Sequence, residues 1–135
     1  MKKLTIIIEQ NDDGFWGQIK EYPSIFTSGD NLTELRTNAK EALELYFDEL
    51  GEEQIKNPRF ELVVDVQNFF EINDYINVSK LAERSGMNTS LLRQYSKGIK
   101  FPSVEQVKRI ERTIKEIGTE LLNTHILNRP LELNK

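Results

Sequence analysis

The stretch from Val78 to Lys97, VSKLAERSGMNTSLLRQYSK, constrains the fold more than any other part of the chain. Two short helices can cross at contact distance only where a small residue lies at the crossing and the connecting turn accepts a positive φ. Ala82 and Gly86 meet those two needs. Leu81, Leu92 and Tyr95 fall at helical spacing and are expected to point into a shared core. That leaves Asn88, Thr89, Ser90, Arg93, Gln94 and Lys97 on the outward face of the second helix.

That outward face has the composition of a base reader. A major groove admits one α-helix, and only the N-terminal residues of that helix reach base edges. Asn88 is expected to cap the helix, turning its positive end towards phosphate, with the Thr89 and Ser90 hydroxyls beside it. Gln94 can pair with adenine and Arg93 with guanine, each pair discriminating by about 1–3 kcal/mol. The run Lys97-Gly98-Ile99-Lys100-Phe101-Pro102-Ser103 then predicts a helix stop, a turn and a new helix start. From Leu81 to Ser103 the chain resembles the Cro/C1-type helix-turn-helix family, in which a Gly-Lys/Arg-x-x-Pro-Ser step follows the recognition helix. The resemblance implies binding to double-stranded operator DNA through Asn88, Thr89, Ser90, Arg93, Gln94, Lys97 and Lys100. The rival is a helical hairpin in an all-α core with no DNA role.

Charge separates the two halves of the chain. Residues 1–70 hold 7 Lys/Arg against 14 Asp/Glu, whereas residues 71–135 hold 11 against 8. Between Asn77 and Lys115 nine basic side chains face three acidic ones, the footprint expected of a phosphate-binding surface. The chain has no cysteine, which excludes disulfides and thiolate metal sites or nucleophiles. The apolar run Leu4–Ile8 is too short for a signal-peptide core or a membrane span, so no membrane partner and a cytoplasmic location are expected.

The acidic half predicts strands at Leu4–Glu9 and Phe15–Tyr22 around an Asn11-Asp12-Asp13-Gly14 hairpin turn, and a short third strand at Ser24–Thr27. Asn31 with Glu34 reads as a capping box. It opens a helix whose apolar stripe runs Leu32, Leu35, Ala39, Ala42, Leu43, Tyr46, Phe47, Leu50 and is closed by Gly51. A fourth strand, Phe60–Val66, completes a β-β-β-α-β order. Gln67–Ile76 predicts a short helix opening the second domain, and a long helix runs from Ser103 to about Asn123.

The Asp-Gly and Phe-Trp-Gly hairpin, Tyr22-Pro23, the Thr27–Leu32 helix start and Asn38-Ala39-Lys40-Glu41-Ala42-Leu43 together resemble the HicB antitoxin family. Leu91-Leu92-Arg93-Gln94-Tyr95 with Lys108-Arg109-Ile110-Glu111 looks like its helix-turn-helix version. The resemblance implies an α+β chain. Residues 1–67 would form a partial RNase H-like domain without nuclease function that clamps a HicA-type mRNA-cleaving toxin. Residues 68–128 would be an all-α helix-turn-helix domain that represses the shared operon, and residues 129–135 a tail. An RNA-binding toxin is basic, so an acidic cap suits it. Glu9, Asp12, Asp13 and Trp16 are candidate toxin contacts, although Trp16 also suits hairpin packing and the two aspartates a turn.

A homodimer or higher even-numbered oligomer is expected, because paired modules match inverted repeats. Ile114, Ile117, Leu121 and Leu122 are the candidate interface, against the rival that they complete the domain's own core. No catalytic residue, metal or cofactor is expected. Two other functions compete with the antitoxin. One is a repressor with a ligand-sensing N-terminal domain. The other is a metal-dependent nuclease built on Glu9, Asp12, Asp13, Glu34 and Asp65.

Overall fold

The structure, a computed structural model, describes residues 2–133. The chain is α+β and forms two compact units, Met1–Tyr75 and Ile76–Lys135. The division therefore falls later than the expected step between residues 67 and 68. The segment between those positions was expected to open the second unit. Instead it forms a helix whose N-terminal end follows directly from a strand of the first unit and which touches the central strand there. Residues 134 and 135 of the expected tail lie outside the described residues, and residues 129–133 have no regular structure.

In the first unit β1 (Lys3–Asn11), β2 (Gly14–Ile19) and β3 (Phe26–Gly29) form an antiparallel meander. The tight connection follows from Asn11, whose Oδ1 accepts from the Asp13 N–H at 2.9 Å, and from Gly14 at φ 124°. The chain then crosses through α1 (Leu32–Leu50) to β4 (Arg59–Val63), which pairs in parallel with β1. The sheet order is β3-β2-β1-β4, so β1 is interior.

The strand ends differ from those the sequence predicts: β1 extends beyond Leu4–Glu9 at both ends, whereas β2 and β4 stop early and β3 is shifted along the chain. β2 stops at Ile19 because Tyr22 and Ile25 close a turn that returns the chain: the Ile19 N–H donates to Ile25 O and the Ile25 N–H to Tyr22 O. β3 accordingly starts at Phe26 rather than Ser24, and β4 ends at Val63 because Asp65 caps the next helix.

Helix α1 lies against one face of the sheet because its stripe matches the inward set of β1. Leu35, Ala39, Leu43 and Phe47 are buried with Leu4, Ile6, Ile8 and Ile19. Gly29 permits the approach: a Cβ there would sit 2.6 Å from the Leu35 backbone nitrogen. The predicted cap at Asn31 forms, accepting from the Glu34 N–H at 2.8 Å. The reciprocal bond differs, since Glu34 Oε2 accepts from the Asp30 N–H rather than from Asn31. Leu50, at the end of the stripe, is exposed. α2 (Val66–Ile72) follows β4, is capped by Asp65 and buries Phe70.

The second unit holds α3 (Val78–Ser85), α4 (Thr89–Ser96) and α5 (Val104–Leu122). Leu81, Ala82, Met87, Leu92, Tyr95, Ile110 and Thr113 form its buried set, with Ala82 and Leu92 fully enclosed. Gly86 takes the left-handed conformation at φ 70° and ends α3 through N–H bonds to the Ala82 and Glu83 carbonyls. Met87 was absent from the expected core; the Gly86 turn carries it inward, where its N–H also reaches the Ala82 carbonyl. No helix among the described residues is long and apolar enough to cross a membrane.

Candidate nucleic-acid and partner-binding surfaces

Helix α4 is held at both ends. Asn88 caps it, its side chain accepting from the Leu91 N–H at 3.1 Å. At the other end the N–H of Ile99 reaches the Gln94 carbonyl at 2.9 Å, with Gly98 at φ 73° turning the chain away. With Leu92 and Tyr95 buried on one side, Asn88, Ser90, Arg93 and Lys97 stand exposed on the other. Thr89 and Gln94 are half-buried at its margin. Lys100 is exposed just beyond the turn. The structure thus gathers the sequence-derived set onto one end of the unit around one short helix.

Two of these side chains already have partners. The Arg93 Nη2 donates to Ser79 Oγ at 2.6 Å, tying the guanidinium to the first turn of α3 and leaving its other N–H donors free. Ser79 was not among the sequence-derived residues. Only its position, one residue into a helix that crosses α4, hints at it. The Gln94 Nε2 lies 3.5 Å from Ser90 Oγ, a long and therefore weak contact.

The cations of this unit divide in the same way. Arg84 pairs with Glu120 at 2.6 Å, fastening α5 to α3, and Lys80 pairs with Glu83. Arg93, Lys97, Lys100, Lys108, Arg109, Arg112 and Lys115 form no ion pair among the described residues. The positive charge of the helical unit is therefore largely uncompensated where it faces solvent.

Along α5, Ile110 is buried, and Ile114 and Ile117 are half-buried. Leu121 and Leu122 are exposed, as are Ile126 and Leu127 beyond the helix. The candidate interface residues thus fall into an inner pair that touches the unit's own core and an outer pair that does not.

In the sheet unit, cross-strand register sets Glu9 directly opposite Trp16. Both lie on the face turned away from α1, and Asp12 and Asp13 are exposed in the turn that follows. The other carboxylates considered for metal chemistry are engaged in caps. Asp65 accepts from the Asn68 N–H at 2.7 Å and Glu34 from the Asp30 N–H. No group of three metal-ligating side chains converges among the described residues. A cleft of about 560 Å³ runs beside α1, lined by Lys40, Glu44, Asp48, Gln54, Ile55, Lys56 and Asn57. It is open and charged, and Gln54 spans it with bonds to the Glu44 carbonyl and the Asp48 carboxylate, unlike the mostly apolar pockets that hold small ligands.

One carboxyl has a shifted acidity. Desolvation is the largest single influence on Glu21 and raises it, but the Thr5 N–H bond at 2.8 Å, its own N–H, the Thr5 side chain and the Lys20 charge together outweigh this and hold it below its ordinary value.

No family model matches the chain. It is similar to an "uncharacterized 14.9 kDa protein in rep-hol intergenic region" of Haemophilus phage HP1 (strain HP1c1), 31% identical over 71 residues. The match takes in 53% of this chain and 53% of that protein, so the chain spans about half the length of the curated relative it matches.

Proposed function

We propose that this protein is a HicB-type antitoxin: it neutralises a HicA-like mRNA-cleaving toxin through its sheet unit and represses its own operon through its helical unit. It is not an enzyme in this reading. The observation that carries the reading is α4, a short helix capped at its start, buried along Leu92 and Tyr95 and presenting Ser90, Arg93 and Lys97 outward among unpaired cations. Helices α3 and α4 with the Gly86 turn then act as the helix-turn-helix, and Arg93 and Gln94 read bases while Lys97 and Lys100 contact phosphate.

The order β-β-β-α-β, with β4 returning in parallel beside β1, supports the partial RNase H-like assignment of the first unit. Its acidity suits a basic toxin and keeps this unit off the DNA. The exposed Leu121 and Leu122 support pairing of two copies on an inverted repeat.

The test joins both activities. The full chain should retard a fragment of its own promoter at low ionic strength and relieve the growth arrest caused by the toxin encoded beside it. Failure to relieve the arrest would end the antitoxin reading, and failure to retard the fragment would end the repressor reading. For the oligomer, sedimentation of a chain cut after Gly118 should show a monomer; a persistent dimer would place the interface elsewhere.

A further inference from the structure

The face of the sheet turned away from α1 carries a row of side chains that spans all four strands and is apolar on three of them. Ile7 on β1 lies beside Gln18 on β2 and Val63 on β4, and Gln18 lies beside Phe26 on β3. Side chains alternate across a strand, so these four share a face with Trp16 and Glu9 in the neighbouring row. Phe26 is 61%, Trp16 50%, Val63 49% and Ile7 43% exposed. Leu4, Ile6 and Ile8, the other parity of β1, are all buried under α1. A half-buried strand that served only its own core would have a polar residue at position 7, as it does at Thr5 and Glu9. Contiguous exposed apolar side chains of this kind mark interaction surfaces in folded proteins.

The charges around this row differ at its two ends. At the start of β1, Lys3 is paired with Glu61 at 3.4 Å, and Glu21 is bonded to the Thr5 N–H, so charge there is largely spent within the chain. At the other end Glu9, Asp12 and Asp13 are exposed and form no ion pair among the described residues. Gln18, the polar member of the row, has its amide drawn aside by a 2.6 Å bond to the Pro23 carbonyl, which leaves its neighbours Phe26 and Ile7 as the contact surface.

We infer that this face is the docking surface of the first unit, and that its occupant is a cationic globular protein. Phe26, Ile7, Val63 and Trp16 serve as apolar anchors, and Glu9, Asp12 and Asp13 receive Lys or Arg side chains at one end. The inference rests on the antitoxin reading and specifies where the partner sits. A second copy of the chain fits less well, because residues 1–70 carry 14 acidic against 7 basic side chains and two such units repel.

The test coexpresses the full chain with the small basic protein encoded beside its gene and measures their affinity after copurification. The variants are the double substitution Phe26→Ser with Ile7→Ser, the charge reversal Glu9→Lys, and Leu45→Ser as a control on the exposed side of α1. The double variant should bind at least about tenfold more weakly, Glu9→Lys several-fold more weakly with a flatter salt dependence, and Leu45→Ser like wild type. Thermal melting of each variant shows that the sheet unit is folded, and the exposed position of Glu9 keeps the test valid if the double variant is unstable. Wild-type affinity in both face variants would overturn the docking surface and leave the antitoxin reading standing. A wild-type chain that holds no basic protein would overturn both. Partner-free wild-type dimers that the face variants convert to monomers would assign the face to a second copy and overturn the inference.

Discussion

The sheet unit and the helical unit solve burial differently. In the first, α1 covers one face of the sheet and Leu4, Ile6, Ile19, Leu35 and Ala39 are wholly removed from solvent. In the second, only Ala82 and Leu92 reach that state among the described residues, and Val104, Leu121, Leu122, Ile126 and Leu127 stay exposed. A sheet with a helix across it encloses a continuous layer, whereas two eight-residue helices and half of a longer one enclose little. So small a helical domain leaves apolar surface exposed. Their charges are opposite too, and the residues left free are the ones suited to binding: acidic with apolar anchors on one unit, basic and polar on the other.

If the two units are separate cores, each should be breakable alone. Leu35→Ala and Leu92→Ala should each cost about 2–5 kcal/mol, because both side chains are fully buried. Residue-resolved hydrogen exchange should show loss of protection confined to the unit that carries the change, and loss in both would merge the two cores into one. The chemistry divides next. Arg93→Ala should remove about 1–3 kcal/mol of preference for the promoter fragment over random DNA, with Ser79→Ala moving it the same way by less because Ser79 holds the guanidinium. Competition binding reads both, and an unchanged preference in Arg93→Ala would remove it as a base reader.

Asn88→Ala should lower stability by about 1 kcal/mol through the lost cap, seen in the melting of the helical unit alone. Lys97→Ala and Lys100→Ala should each reduce the slope of log affinity against log salt by about 1, equally for promoter and random DNA. The smallest effect belongs to the sheet unit. Glu21 has a depressed pKa, so its contribution to stability is present above the unfolded-state value and is lost as pH falls through the folded one. Glu21→Gln should therefore narrow the difference in melting temperature between neutral and acidic solution slightly, while leaving the DNA measurements unchanged.

Local chemistry was readable from the residues alone. The caps at Asn31, Asn88 and Ser103, the Asn11–Gly14 turn, the left-handed Gly86 and the burial of Leu81, Ala82, Leu92 and Tyr95 all form where the sequence expects them. Each depends on partners a few residues away, or on a periodicity that any helix must obey. The division between units was less readable, because the large apolar side chains of Gln67–Ile76 mark the segment as packed somewhere without showing against which core; in the structure Phe70 is buried while Tyr75 is exposed.

What the sequence by itself determined is therefore the order of the elements, the helix caps, and which face of each element is apolar. Only the tertiary structure decided that β4 lies parallel beside β1, which makes Ile7 the middle of a row reaching from Phe26 to Val63, and that Ser79 meets Arg93 across two helices. Strand order and register arise from contacts far apart along the chain, and a period-two pattern within a strand says which side chains share a face without saying which strand lies next to it.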